Sequence, residues 1–363
     1  MNVRAMLLQA ICVCVLLGIL VAGLWPFHTP RNDVTWARSG SGLHFGKHGS
    51  IVSTSPLTAH AKPGDGSCSL EIWLQANWVE GMILAFYWPD HRVVPFSIRQ
   101  FQEGLVFENH SPGDSKEPAI YVADVFHGPK PALVTITSDE AGFAVYVDGT
   151  LVRRDPNFTV LNRDLTGQLV IGGSPSAPYN WSGIVKGLTI YDYELSSAEV
   201  SQSFAEWTQG GRSAANSEGV AARYLFAEGK GSVVRNQVDS ATNLLIPERF
   251  FVLHEQFLER PWNEFRLAWS YMKDLAVNVV GFIPLGFFFY AYFSDVRNAK
   301  HAPAITITLG FAISLTIEVL QAFLPTRHSG MTDLLTNTVG TALGVMAFRH
   351  RAVRSLAALG LPE

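Results

Sequence analysis

Cysteine is scarce in this chain, three residues in 363, and two of them, Cys12 and Cys14, share one apolar run while Cys68 stands alone. No disulfide framework can be built from that set. Neither Cys12, after Ile11, nor Cys14, after Val13, has a lipoprotein cleavage context, so lipid attachment is not expected. A phosphate-binding loop is missing too: Gly229-Lys230-Gly231-Ser232 lacks the Lys-Ser/Thr adjacency and the upstream glycine spacing. His254-Glu255 is not a zinc-protease motif, because Leu258 stands where the second histidine would be. No cluster of metal ligands and no activated nucleophile stands out, and nothing calls for a cofactor or a nucleic-acid partner. The net charge of −4 averages unlike regions and decides nothing.

The chain does have long apolar runs: Ala5 to Trp25, Leu275 to Phe293, Ala302 to Phe323 and Leu334 to Phe348. A helix needs roughly 17 to 25 apolar residues to cross the hydrocarbon core. The first run follows Arg4 and is uncharged, so it reads as a retained anchor or a signal peptide. The absence of a clean small-x-small cleavage site favours the anchor. Arg4, Arg297 with Lys300, and Arg349, Arg351 with Arg354 all fall on one side of a four-helix arrangement. Short-loop Lys and Arg stay in the cytoplasm, which puts both termini inside and sends Phe27 to about Lys273 outside. Arg327, in a short outer loop, breaks that rule and needs a local partner.

The long outer region alternates polar and apolar residues as strands do, in Cys68-Ser69-Leu70-Glu71-Ile72-Trp73-Leu74, Leu133 to Thr137 and Phe143 to Val147, with further strands at Gly167 to Ile171 and Gly183 to Ile190. Asp148-Gly149 is a type I′ hairpin signal, since both central residues of that turn need positive φ; a calcium-loop aspartate is the alternative. Many short strands without helices between them read as a β-sandwich or jelly roll. Gly42-Leu43-His44-Phe45, Ser69 to Trp73, Ala144 to Gly149 and the closing run Gly187 to Val200 resemble a laminin G-like (concanavalin A-like) jelly roll over about Val34 to Phe204. Val185-Lys186 departs from that family, where an acidic pair is common. The resemblance implies binding of carbohydrate or cell-envelope material. Trp78, Tyr87, Trp88, Tyr179 and Trp181 are the aromatics that would stack on sugars, with core packing the alternative for each.

After a Gly, Ser and Ala-rich linker from Thr208 to Ala222, the segment Tyr224 to Val234 is similar to one that opens the jelly-roll family, so here it would supply a permuted completing strand. From Pro247 to Asp274 aromatics alternate with charges. This reads as an interfacial amphipathic helix broken at Pro261 or as an ordinary soluble helix.

Each of the last three apolar runs carries polar residues, and a carboxylate at membrane depth costs about 2.5 to 3.5 kcal/mol. Asn278-Val279-Val280-Gly281-Phe282-Ile283-Pro284-Leu285-Gly286, Glu318 to Arg327, and Asp333 to Gly340 resemble the VanZ-like family in three ordered motifs over roughly Asp274 to Phe348. That family is named for a protein linked to glycopeptide antibiotic resistance. The jelly roll is an insertion relative to its shortest members, so resistance is not implied for this chain.

In the expected topology Asp274, Asn278, Glu318, Gln321, Asp333 and Asn337 meet at one depth near the outer leaflet. The i,i+4 and i,i+3 spacings let each pair share a helix face. Gly340 and Gly344 would permit close helix approach, and Pro284 would kink its helix. Two readings stay open: a polar pocket in which Arg327 pairs with Glu318 or Asp333 or holds an anionic lipid headgroup, and hydrogen bonds that merely hold the bundle together. Catalysis would rest on Glu318 or Asp333 alone, so the reading leans away from an enzyme.

The expected fold is therefore a mixed membrane protein, an extracytoplasmic all-β jelly-roll sandwich plus an α-helical transmembrane bundle of four helices. Residues 1–26 are the anchor, 34–206 the jelly roll, 207–246 the linker and completing strand, 247–273 the juxtamembrane segment, 274–349 the bundle and 350–363 a cytoplasmic tail. The expected setting is the bacterial inner membrane. Membrane lipids and a glycan or peptidoglycan-related ligand are the expected partners, and a scaffold without a small ligand or a membrane enzyme acting on a lipid-linked substrate are the rivals.

Overall fold

The computed structural model describes residues 3–38, 41–58, 66–77, 80–110, 118–176, 179–209, 219–255, 257–265, 269–327 and 329–350. The chain forms two compact units, one from Pro30–His254 and the other from Met1–Thr29 with Glu255–Glu363. Trp78, most of the linker between Gln209 and Gly219, and the tail with Arg351 and Arg354 lie outside the described residues.

The first unit is an all-β sandwich. Its strands are β1 Val34–Trp36, β2 Leu43–Phe45, β3 Ile51–Ser53, β4 Cys68–Ala76, β5 Gly81–Tyr87, β6 Phe96–Phe101, β7 Gly104–Asn109, β8 Ala119–Val122, β9 Ala132–Asp139, β10 Gly142–Val147, β11 Thr150–Asp155, β12 Gln168–Ile171, β13 Gly183–Tyr191, β14 Val220–Tyr224, β15 Val233–Val234 and β16 Leu244–Leu245. Among the described residues they make two eight-stranded sheets. One runs β1-β2-β13-β4-β9-β10-β11 with β14 also on β13, and the other β15-β16-β3-β12-β5-β6-β7-β8. The period-2 pattern explains the layering: Leu70, Ile72 and Leu74 of β4 share one core with Phe86, Ile98 and Phe107 of the opposite sheet. Burying such side chains stabilises by about 1.5 to 3 kcal/mol each.

The β10–β11 hairpin turns at Asp148 (φ 50°) and Gly149 (φ 77°), the backbone of a type I′ turn. The Asp148 carboxylate accepts the Leu133 N–H at 2.9 Å, tying the turn to β9. The single strand expected from Tyr224 to Val234 is instead two. Tyr224 ends β14 in the first sheet and Val233–Val234 belongs to the second. Positive φ at Phe226, Gly229 and Gly231 turns the chain between them. The helix α2 Ser197–Gln209 follows the last long strand. Ser196 and Glu199 cap its start reciprocally, Ser196 N–H to Glu199 Oε2 at 2.8 Å and Glu199 N–H to Ser196 Oγ at 3.3 Å.

The second unit is helical, with α1 Val3–Leu24, the single turn α3 Pro261–Glu264, α4 Trp269–Ala291, α5 Ala302–Gln321 and α6 Met331–Arg349. A π-helical turn, Tyr292–Val296, extends α4. Among the described residues three helices are long and apolar enough to cross a membrane, Val3–Leu24, Tyr271–Val296 and Ala302–Gln321. The fourth expected span, Leu334 to Phe348, lies in α6, which is not among these three. The apolar stretch of α6 is diluted by Thr332, Asp333, Thr336, Asn337, Thr338 and Thr341. Pro261 opens α3 at its first turn rather than breaking a helix, because the missing N–H of proline costs nothing at that position. Trp269 to Lys273 belong to α4.

Candidate functional site

Close helix contact sets the geometry of the helical unit. A Cβ built on Gly340 would lie 2.2 Å from the Val279 carbonyl oxygen, one on Gly344 2.2 Å from that of Ile283, and one on Gly286 2.0 Å from that of Thr341. Helices α4 and α6 thus touch backbone to backbone. On α5 a Cβ at Gly310 would meet the Thr341 side chain at 2.3 Å, so α6 is gripped from two sides. Pro284 sits inside α4, which continues past it.

The predicted polar residues are distributed over this contact. Asn278 donates to Asp333 Oδ1 at 2.7 Å, joining α4 to α6. Asn337 donates to Ser314 Oγ at 2.9 Å, joining α6 to α5. Glu318, with 1% of its surface exposed, accepts the Gly330 N–H at 2.8 Å on Oε2. Gly330 is the residue that caps α6, so the carboxylate sits at the start of that helix, where the backbone dipole favours negative charge. Asp274 is exposed on the first turns of α4, and among the described residues no hydrogen bond ties its side chain to the others.

Gln321 and Arg327 do something the sequence reading did not anticipate. Gln321 Nε2 donates to the Gly23 carbonyl at 2.8 Å, and the Arg327 guanidinium donates to the Trp25 carbonyl. Gly23 lies in the last turn of α1 and Trp25 directly follows Leu24, so both acceptors are carbonyls at the end of that helix, where helical partners run out. Among the described residues Arg327 forms no ion pair with Glu318 or Asp333. A carbonyl cluster at a helix C-terminus carries partial negative charge and supplies a local partner for the Arg327 guanidinium. The segment before α3 reaches the same loop. Glu259 N–H donates to Ser329 O at 3.0 Å, Met331 N–H to Glu259 O at 2.9 Å, and Leu258 N–H to Ser329 Oγ at 3.3 Å. Ser314, Ser329, Gly330, Gly286 and Gly310 were therefore missed. The four-residue spacing of Thr306, Gly310 and Ser314 was the available signal for α5.

In the sandwich, two of the expected sugar-stacking aromatics are core residues: Trp181 donates to Gln100 Oε1 at 2.6 Å and Tyr87 lies in β5 under the sheet surface. Trp88 Nε1 donates to Thr166 O at 3.1 Å, and Tyr179 is half-buried. The exposed aromatic pair is a different one. Phe101 and Tyr121 stand edge to face at 6.0 Å, and Tyr121, 45% exposed, lines an open depression of about 420 Å³ with Glu80, Gln102, Glu103 and Asp124. Short strands β6 and β8 place these two rings side by side, a relation invisible at a separation of twenty positions in sequence. Among the described residues no group of three or more His, Cys, Asp or Glu side chains is placed to hold a metal ion.

Comparison with known proteins gives two domains. Residues 220–354 match the VanZ/LLP1 family, and residues 53–201 match the concanavalin A-like lectin/glucanases superfamily in its laminin G form. The chain therefore carries a VanZ-like domain and a concanavalin A-like domain, the architecture its motifs resemble. The VanZ match begins inside the sandwich unit, at β14. No curated protein matches the chain. Solved structures similar to it include a putative carbohydrate binding protein from Bacteroides ovatus ATCC 8483, at 12% identity and TM-score 0.41, covering 60% of this chain and 58% of that one. Others are the binding domain of Paraclostridial Mosquitocidal Protein 1, at 12% and 0.37, covering 49% and 47%, and the receptor binding domain of botulinum neurotoxin D, at 13% and 0.38, covering 50% and 48%. The chain spans less than two thirds of the length of each.

Proposed function

We propose that this is a multi-pass inner-membrane protein of the bacterial cell envelope, with both termini cytoplasmic and an extracytoplasmic sandwich that binds a glycan or peptidoglycan-related component. The observation that carries the reading is the joining, in one chain, of a concanavalin A-like sandwich to helices long and apolar enough to cross a membrane. The α6 helix then serves as the fourth span, its polar residues turned to α4 and α5. Exposed Trp25, Phe27, Phe257, Trp262, Phe265, Trp269 and Phe323 suit the aromatic belt of a membrane interface, and lipid headgroups are the partners of that end. The reading is one of binding rather than catalysis.

The sugar would stack on the exposed face of Tyr121, with Phe101 edge to face beside that ring and Glu80, Glu103 and Asp124 accepting from the sugar hydroxyls. The test is binding of the full-length protein in nanodiscs to a panel of peptidoglycan fragments and envelope oligosaccharides. Tyr121→Ala should weaken a positive by roughly tenfold, as removal of a central aromatic contact does. No binding by any fragment, or binding indifferent to Tyr121→Ala, would sink the assignment. A second reading is favoured by the hydrogen bonds of Gln321 and Arg327 to α1: the polar residues of the helical unit assemble helices and need no lipid ligand.

A further inference from the structure

The depression beside Tyr121 carries charge of one sign, and that sign discriminates among sugars. Three segments of the chain build it. Glu80 stands just ahead of β5, Gln102 and Glu103 form the tight turn between β6 and β7, and Asp124 follows β8. Positive φ at Gln102 (53°) and Asp124 (54°) bends the backbone at both turns. The second turn is fastened to the first, because Val125 and Phe126 both donate their N–H groups to the Glu103 carbonyl at 2.9 Å. Gly104 gives the aromatic ring its place: a Cβ there would lie 2.7 Å from Tyr121 Cε2 and 2.8 Å from Tyr121 Oη. The ring therefore lies across the Gly104 backbone, with Phe101, the strand partner of Gly104, edge to face beside it.

Among the described residues the lining is Glu80, Gln102, Glu103, Tyr121 and Asp124, three carboxylates with no Lys, Arg or His. All three carboxylates are exposed. Charges of one sign around a concave surface focus its potential, and the face of a tyrosine ring is itself negative and attracts cations. The ring and the acids thus favour the same kind of ligand, one with a flat apolar face and a positive charge. Resting on the assignment of this depression as the sugar site, we propose that it selects amino sugars with a free ammonium group over N-acetylated sugars, and rejects acidic ones. The sugar ring covers Tyr121, and its ammonium donates to Glu103 and Asp124 while Glu80 accepts from a hydroxyl. The volume of about 420 Å³ falls within the range of about 300 to 1,000 Å³ usual for small-molecule sites.

The test compares chitosan and chitin oligomers of equal length, which differ only in N-acetylation, by titration calorimetry on the full-length protein in nanodiscs of zwitterionic lipid. It is run at about pH 6, where an ordinary amine is protonated. An exposed ion pair contributes a factor of about 1.4 to 5, so two or three of them predict a preference of roughly tenfold for chitosan at low salt. The preference should vanish as salt rises from about 0.01 M to about 1 M and the screening length falls from about 30 to about 3 Å. Tyr121→Ala should weaken both sugars. Glu103→Gln combined with Asp124→Asn should erase the preference and leave chitin binding in place. That variant keeps the fold, since the Glu103 carbonyl and not its side chain ties the turns, and asparagine tolerates the φ of Asp124. If chitin binds as well as chitosan and Tyr121→Ala still weakens it, the sugar site stands and the charge selection falls. A preference that persists in the double variant, or a lysine oligomer of equal charge that binds as tightly as chitosan, also overturns the proposal. If neither sugar binds, the site assignment falls with it.

Discussion

Gly344→Ala should loosen the helical unit, and Gly281→Ala should not, although both change one hydrogen to a methyl on packed helices of the same unit. A Cβ at Gly344 would stand 2.2 Å from the Ile283 carbonyl oxygen and 2.7 Å from the Phe287 amide nitrogen. Those are backbone atoms of α4, which no rotamer change can move aside. Restoring an ordinary carbon–oxygen contact requires the helices to separate by about 1 Å, which opens gaps along the rest of a close-packed seam. Overpacking of this kind costs about 1 to 3 kcal/mol. At Gly281 nothing lies within 4 Å of the added methyl, and a glycine in a helix interior is up to about 1 kcal/mol worse than alanine, so that variant should hold or gain stability. The assay is thermal unfolding of the purified protein in one detergent, followed by intrinsic fluorescence and by loss of soluble protein. Equal behaviour of the two variants, or a stable Gly344→Ala, would refute the claim that α4 and α6 meet backbone to backbone.

Glu318→Ala should destabilise by about 1 to 3 kcal/mol by leaving the Gly330 amide buried and unpartnered, while Glu318→Gln, which keeps an acceptor, should lose less; melting curves of the two variants separate the cases. Arg327→Ala should free the end of α1, read as faster proteolysis between Trp25 and Thr29, without loss of the sandwich fold. Burial pushes the Glu71 carboxyl above its ordinary value, against the hydrogen bonds from Ser203, Tyr191 and Trp207 and the charge of Arg223. The folded state therefore binds a proton more readily than the unfolded chain, so the contribution of this group to stability falls as pH rises from about 4.3, the ordinary glutamate value, through the raised one. Glu71→Gln should remove that part of the pH dependence, and a sandwich whose melting follows the same pH profile with and without the substitution would sink this account.

Period-2 alternation located β4, β9, β10, β12 and β13, because side chains on a strand answer to one face or the other and Leu70, Ile72 and Leu74 had to share a side. Asp148-Gly149 was legible for a local reason, the φ values its turn demands. What failed were relations between distant positions. The Tyr224–Val234 stretch reads as one strand until Phe226, buried at φ 49°, turns it from one sheet to the other. Aromatic residues chosen for sugar binding by identity alone turned out to be core, as for Trp181, since size and apolarity serve packing as well as recognition. In the helical unit, i,i+4 spacing could say that Asp333 and Asn337 share a face. It could not say that Asn337 finds Ser314 and Asp333 finds Asn278 on different helices, because facing partners are fixed by helix rotation and not by spacing within one helix.

The two places where the chain passes between its units lie at Thr29/Pro30 and His254/Glu255. Four residues from the first, Trp25 is held by Arg327; four residues from the second, Glu259 is held by Ser329 and Met331. Both attachments are to the loop between α5 and α6, and the residue between Ser329 and Met331 is Gly330, whose amide the buried Glu318 accepts. Breaking any one of these bonds exposes a helix end, since Glu318 and Glu259 serve the first amides of α6 while Gln321 and Arg327 serve the last carbonyls of α1. A polar cluster that served only to glue helices could have been placed anywhere along their length. Here it gathers instead at the loop between α5 and α6, to which both connecting segments are hydrogen-bonded.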